Sequence, residues 1–282
     1  MTNRKPAARN PLPRPVEVYP LQFRDRTSLA ECLSGARILY NTYWIRYPYR
    51  RLSYGQAMAN TEALVGAARA AGVERIVHFS ICNPSLDSKL AYYRGKAEVE
   101  LSIVRSGLRY AFVRPTVIFG RSGVFGDILV NNIAWFLRHF PVFAVPGFGD
   151  YRIQPVSIDD VADLAVEAGV ADDDLVIDAA GPETYSFQEL VERIGAAVGC
   201  RRPILRLSPG GVHLLGWLAG SVLGDIVLTR EEILGLMGGL LVSRASPSGK
   251  IAFSEWLEGA GPVLGRRYSS ELARHYGGDG TR

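Results

Sequence analysis

Ile76 to Glu100 reads IVHFSICNPSLDSKLAYYRGKAEVE, a short apolar run that gives way to a helix-period segment. Ile76–Phe79 is apolar apart from His78 and stops at Ser80, as expected of a strand covered on both faces in a parallel sheet. The following segment, Leu90–Ser106, is read as a helix, which puts Tyr92 and Lys96 on one face because residues four apart are neighbours there. Arg109–Phe119 is then a second strand. A strand, a helix and a strand in this order form a βαβ unit.

The alternation continues on the N-terminal side. Val16–Phe23 reads as a strand, a helix is expected around Ser28–Leu33, and Ala36–Asn41 reads as another strand. Ser53–Ala71 is helical, opened by Ser53-x-x-Gln56 in capping-box form and closed by Gly72. From about residue 146 the character changes. Ser157-x-x-Asp160, Ser186-x-x-Glu189 and Thr229-x-x-Glu232 each stand in capping-box form before apolar-periodic stretches, and the strands are short (Leu175–Asp178, Ile204–Leu207). The expectation is an α/β fold, a doubly wound parallel sheet over residues 1–145 with a smaller helix-rich lobe over 146–282 set against it.

Composition sets the function classes that fit. The 282 residues carry 32 Lys+Arg against 28 Asp+Glu, a net charge of +4. Residues 1–26 hold six basic and two acidic side chains, so the rest of the chain is balanced. A basic front on a neutral body is not the broad basic face of a nucleic-acid-binding protein. Three cysteines lie far apart (Cys32, Cys82, Cys200) and four histidines are isolated, which argues against a disulfide framework or a metal site and places the chain in a reducing cytoplasm. Met1–Pro15 has no apolar core of a signal peptide, and Leu207–Gly224 is too short and too interrupted for a membrane span; the chain is read as soluble.

Tyr-x-x-x-Lys on one helix face has a chemical use. The ammonium of Lys96 lowers the pKa of the Tyr92 phenol, fitting it as general acid or base on a carbonyl or alcohol, and the same lysine can hydrogen-bond a ribose. The order strand–Ser80–Tyr92-x-x-x-Lys96–strand–RPTVIFG (114–120) resembles the short-chain dehydrogenase/reductase superfamily in its extended or atypical branch. YNTYW (40–44), NPSLDS (83–88), YRGKAEVE (93–100) and YSSELARH (268–275) resemble one group within it, the NAD-dependent epimerase/dehydratase-like proteins related to the dehydrogenase-like accessory subunit of respiratory complex I. The resemblance runs from about residue 2 to the end.

It implies a Rossmann-like fold and a nicotinamide cofactor, NAD or NADP. Tyr92 becomes the acid/base, Lys96 its electrostatic and ribose-binding partner, and Ser80 the candidate substrate-orienting hydroxyl. Asn41 would line the cofactor cleft, Asn60 would help organise the site, and Pro115 and Thr116 would lie against the nicotinamide. Arg4 matches the strand end where basic groups meet the adenosine 2′-phosphate, which favours NADP. Two features depart from the pattern. The usual hydroxyl falls nearer position 82, here Cys82, a poor donor, so that Ser80 or Ser85 substitutes or the triad is damaged. No glycine-rich strand–turn–helix precedes Val16, which leaves the Rossmann domain incomplete at its N-terminus and predicts that Met1 is an internal start. Gly120-x-x-Gly123-x-x-Gly126 imitates a dinucleotide loop, but it follows the RPTVIF strand and is read as a loop bordering the substrate.

Two further regions are open to more than one reading. GVHLLGWLAGSVLG, with Gly216, Gly220 and Gly224 at i, i+4, i+8, and Ile233–Val242 are read first as the core of the lobe. The alternative is an apolar roof or amphipathic surface for a lipid or quinone-like substrate, or for peripheral membrane association. The cluster Tyr40, Tyr43, Trp44, Tyr47, Tyr49 with Arg46, Arg50 and Arg51 is suited to covering the adenine end of a cofactor or a substrate mouth. The expected function is that of an NAD(P)-binding oxidoreductase or epimerase/dehydratase acting on a carbonyl or alcohol. The competing expectation is a non-catalytic dinucleotide-binding structural or regulatory subunit, or an inactive truncated product.

Overall fold

The computed structural model describes residues 16–122, 125–126 and 128–276. It divides into two compact units, one formed by the chain up to Arg114 with Ala162–Ile177, the other by Pro115–Val161 with Asp178–Arg282.

The first unit holds the helices α1 (Arg26–Cys32), α2 (Tyr54–Ala70) and α3 (Ala91–Arg105), most of the helix Ile158–Val170, and the strands β1 (Ile38–Asn41), β2 (Arg75–Phe79) and β3 (Arg109–Pro115), the last up to Arg114. The sheet order is β1, β2, β3 and then the strand Leu175–Ala179. β2 pairs in parallel with β1, Asn41 facing His78, and with β3, Phe79 facing Val113. β2 is therefore internal, and Ile76, Val77 and His78 are all fully buried. This is the environment its apolar run anticipates. α2 starts where Ser53 Oγ accepts the Gln56 N–H (3.1 Å), and Gly72, at φ +76°, turns the chain towards β2. Leu64, Ala68, Ile76, Val99, Ile103 and Phe112 form the centre of the core in this unit.

Val16–Phe23 is not a strand. The segment is irregular apart from a single bridge at Pro20, with Val16 and Val18 both about half exposed. Pro20 withholds a donor, and apolar composition makes a strand only where a neighbouring edge takes up its backbone groups. The expected strand Arg109–Phe119 is divided at Thr116 into β3 and Val117–Phe119, and the second piece pairs in parallel with Pro155–Ser157. The division has a tertiary cause. The Thr116 N–H donates to the Ala179 carbonyl (3.1 Å), and its hydroxyl donates to the Gln154 carbonyl (2.5 Å).

The second unit is helix-rich, with short strands in pairs: Phe143–Pro146 beside Ile204–Leu207 in parallel, and Arg152–Ile153 beside Tyr185–Ser186 in antiparallel. Phe119, Leu137, Ile153, Leu190, Ile194 and Phe253 are fully buried in its core. The three capping motifs behave differently. Thr229 and Glu232 form the full reciprocal box. Ser186 caps the Glu189 N–H, whereas Glu189 itself pairs with Arg193. Ser157 accepts from Asp159, and the Asp160 carboxylate is drawn away to the Lys250 and Ile251 N–H groups (3.0 and 2.9 Å).

The helix Pro209–Leu223 is a surface helix, not the core of its unit. Gly216 and Gly220 do allow a close approach, but to the returning chain: a Cβ at 220 would stand 2.4 Å from the Asp225 carbonyl oxygen. Leu214, Trp217 and Val222 are exposed. Among the described residues no helix is long and apolar enough to cross a membrane. YSSELARH is held by Asp225, whose carboxylate accepts from Tyr268 Oη (2.8 Å) and from the Glu271 and Leu272 N–H groups (both 2.9 Å). Between the strand Val117–Phe119 and the helix Leu129–His139, Arg121–Ser122 pairs with Phe125–Gly126. An antiparallel pairing thus stands where the glycine spacing imitates a strand–turn–helix; Gly123 lies outside the described residues, as does Arg4.

Candidate functional site

Ligands of parallel α/β sheets meet the carboxyl ends of the strands. At that end of the first unit, register pairing brings Asn41 of β1 beside His78 of β2. Asn41 Nδ2 lies 3.0 Å from His78 Nδ1, and Asn41 Oδ1 accepts the Tyr43 N–H at 3.0 Å. An amide nitrogen only donates, so Nδ1 is the acceptor and the ring proton sits on Nε2. Burial, and then the ammonium of Lys96, hold the His78 pKa well below its ordinary value. His78 is a neutral ring at physiological pH. Its Nε2 and the hydroxyl of Ser80 are both buried, and neither has a hydrogen-bond partner among the described residues.

Helix α3 supplies Tyr92 and Lys96. Lys96 is buried, and Nζ donates to the Phe79 carbonyl at 2.7 Å. Burial lowers its pKa to about 7, against an opposing pull from Glu100. Glu100, one turn further on, pairs with Arg114, whose Nε donates to Oε1 at 2.9 Å and whose second guanidinium nitrogen meets Oε2. Tyr92 is half-buried in an aromatic group. Its ring stands edge-on to Trp44 (6.4 Å between centroids) and to Tyr54 (6.1 Å), while Trp44 and Tyr54 stack at 6.1 Å and 12°. The Trp44 ring also lies over Lys96, with Nζ 4.9 Å from its centroid.

Asn60 of α2 reaches this group indirectly. Its Nδ2 donates to the Tyr43 hydroxyl at 2.7 Å and its Oδ1 accepts from Gln56 Nε2 at 3.0 Å. Burial raises the Tyr43 pKa, with Asn60 opposing. Cys82 is fully buried, with Asn83 Nδ2 3.2 Å from its sulfur. Ser85 is exposed, and its hydroxyl accepts the Asp87 N–H (3.3 Å). Ser80 is thus the hydroxyl that shares the buried strand end with His78. Pro115 and Thr116 belong to the second unit, where the Thr116 hydroxyl is engaged by the Gln154 carbonyl. The structure therefore gathers Ser80, Tyr92, Lys96, Asn41 and, through Tyr43, Asn60 in one unit. Trp44 belongs to the aromatic cluster read as a cover in the sequence, whereas His78 and Tyr54 were missed, although the interruption of an apolar strand by His78 is a signal of a buried polar group.

No protein-family model matches the chain. Over 185 residues it is 26% identical to NADH dehydrogenase (ubiquinone) 1 alpha subcomplex subunit 9, mitochondrial, of Arabidopsis thaliana, covering 62% of this chain and 44% of that one. The mouse protein of the same name is 30% identical over 178 residues, 61% of this chain and 45% of that one. The chain spans about half the length of these relatives. Among solved structures, a nucleoside-diphosphate-sugar epimerase from Staphylococcus aureus superposes with a TM-score of 0.68 at 17% identity, over 86% of this chain and 84% of that one. The chain is similar in sequence to these dehydrogenase subunits, and its fold is that of the epimerase structure. An NADPH-dependent quinone oxidoreductase from Escherichia coli, solved with NADPH, gives a TM-score of 0.66 at 19% identity, over 84% of this chain and 81% of that one.

The residues present fit one end of a nicotinamide dinucleotide. Ser80 Oγ and His78 Nε2 are buried polar atoms of the kind a bound group or water satisfies. A cradle for the pyrophosphate is not among the described residues of this unit: neither loop from strand end to helix, 42–53 or 80–90, contains a glycine.

Proposed function

We propose that this chain is a nicotinamide-dinucleotide-binding protein of the short-chain dehydrogenase/reductase kind that serves as a subunit of a larger dehydrogenase assembly, not as a free-standing catalyst. The observation that carries this reading is the position of Lys96. Its ammonium is turned onto the Phe79 carbonyl and covered by Trp44, so it is placed to hold a ribose once uncovered and is not presented to a substrate. Lys96 and Ser80 would hold the nicotinamide-ribose end, with Tyr92 beside them. The dinucleotide, when bound, supplies hydride chemistry. The homology to NADH dehydrogenase subunits supports the assembly.

A second reading, an oxidoreductase or epimerase acting on a carbonyl or alcohol, is supported by the Lys96 pKa of about 7. A lysine that gives up its proton near neutrality is suited to passing it through the Tyr92 phenol. The exposed apolar face of Pro209–Leu223 supports a lipid or quinone-like partner. Titration with NADH and NADPH, followed by nicotinamide fluorescence, separates the first two readings. Binding without turnover, unchanged by Tyr92→Phe, supports the subunit reading, and turnover abolished by Tyr92→Phe overturns it in favour of the enzyme.

A further inference from the structure

Resting on the reading of the Tyr92–Lys96 face as the ribose end of a dinucleotide site, we propose that Trp44 is a cap over Lys96 that the dinucleotide must displace, and that it sets how tightly this chain holds the nucleotide. Lys96 is 3% exposed, so no ligand reaches its ammonium unless a covering group moves. One N–H is committed to the Phe79 carbonyl at 2.7 Å, a backbone group of an internal strand that has no freedom to leave. The indole lies over the same ammonium with its centroid 4.9 Å from Nζ. A ribose hydroxyl bonded to Nζ must come within about 3 Å of it, and the indole shields that approach.

The cap has a built seat. A Cβ at Gly95 would stand 3.2 Å from Cζ2 and 3.3 Å from Cη2 of Trp44, so the glycine between Arg94 and Lys96 is what lets the ring lie down on α3. The aromatic neighbours of the ring are Tyr54 and Tyr92, and its inner edge packs against the core of this unit. Trp44 Nε1 is buried without a hydrogen-bond partner among the described residues. Swinging out therefore gives up ring and cation contacts but no hydrogen bond, and it returns the N–H to water. Residues 42–48, which carry the ring, form neither helix nor strand. A removable cover is placed directly on the one ammonium the site needs.

The test uses the full chain, with NADH and NADPH as binding probes and acetic anhydride as a probe of Lys96, read by mass spectrometry. Trp44→Ala is expected to bind nucleotide about tenfold tighter than the unaltered chain, the scale of one lost cation–π and ring contact, with Lys96 acetylated several times faster. Trp44→Phe keeps a ring and stays near the unaltered chain in both. Gly95→Ala leaves Trp44 intact but crowds its seat, and falls between. Unchanged Lys96 acetylation in Trp44→Ala, or weaker nucleotide binding by a Trp44→Ala protein that unfolds at the same temperature as Trp44→Phe, overturns the cap. Faster acetylation with no nucleotide bound by any variant keeps the cover on Lys96 and overturns the dinucleotide reading beneath it.

Discussion

The ammonium of Lys96 donates to the Phe79 carbonyl at 2.7 Å, which ties the first turns of α3 to the last residue of β2. The contact fixes the Tyr92–Lys96 face at the carboxyl end of the sheet, and it does so with a charged group taken out of water. Lys96 has a folded pKa of about 7 against an ordinary 10.5. Below 7 both folded and unfolded chains hold the proton, and the full cost of burying the charge is present. Between 7 and 10.5 the unfolded chain binds more protons, so folding stability rises with pH. Lys96→Met, which removes the charge, should be the more stable protein at pH 6.5, by several kcal/mol on the order given by ~1.4 kcal/mol per pKa unit. The gap should close towards pH 10. Urea unfolding of both proteins at the two pH values measures it, and a gap that widens with pH contradicts the assignment.

Glu100 stands between that lysine and Arg114. The carboxylate is nearly buried and holds the guanidinium by two contacts. Glu100→Gln should destabilise the chain by about 2–4 kcal/mol, because a partly buried arginine is left without its counter-charge. Because Glu100 pulls the Lys96 pKa upward, the same substitution should move the Lys96 titration to lower pH. Chemical-shift titration of the lysine side chains reads the second effect, which a purely structural loss would not produce.

Two glycines in one helix should respond in opposite senses. Gly220 faces the Asp225 carbonyl, and an added Cβ would lie 2.4 Å from its oxygen, whereas nothing lies within 4 Å of a Cβ at Gly210. Gly220→Ala is expected to cost about 1–3 kcal/mol by overpacking. Gly210→Ala should be neutral or stabilising by up to about 1 kcal/mol. Thermal unfolding of the two variants decides it.

The apolar face of that helix gives a test of the lipid-like partner. Trp217 is 62% exposed, so Trp217→Ser should leave stability within about 0.5 kcal/mol. If the face meets lipid, the same substitution should reduce sedimentation with anionic phospholipid vesicles. Equal sedimentation of both proteins removes lipid from the reading of this face.

The parts of the fold legible in the sequence were those written in local chemistry. A strand buried on both faces announces itself by an apolar run, as β2 does with His78 its one break over Ile76–Phe79, and α2 by Ser53 at one end and Gly72 at the other. What was hidden depends on partners distant in sequence. Val16–Phe23 has strand composition but forms only a single bridge, at Pro20. The break at Thr116 comes from carbonyls 38 and 63 residues away. Asp160 sits in a capping pattern yet is claimed by backbone donors 90 and 91 residues on. At the site, helical spacing was enough to put Tyr92 and Lys96 on one face. The cover that Trp44 makes over Lys96 was not legible, because it requires the 42–53 loop to fold back onto α3 at a glycine. The aromatic cluster of that loop was read as covering the adenine end of a cofactor or a substrate mouth, whereas its Trp44 lies over Lys96.

The central claim is that the Lys96 face holds a nicotinamide dinucleotide, and titration of the full chain with NADPH and NADH against Lys96→Met tests it most directly. Saturable binding that Lys96→Met abolishes and Tyr92→Phe leaves intact is the predicted result. Binding retained in full by Lys96→Met, or no binding by the unaltered chain or by Trp44→Ala, would contradict it.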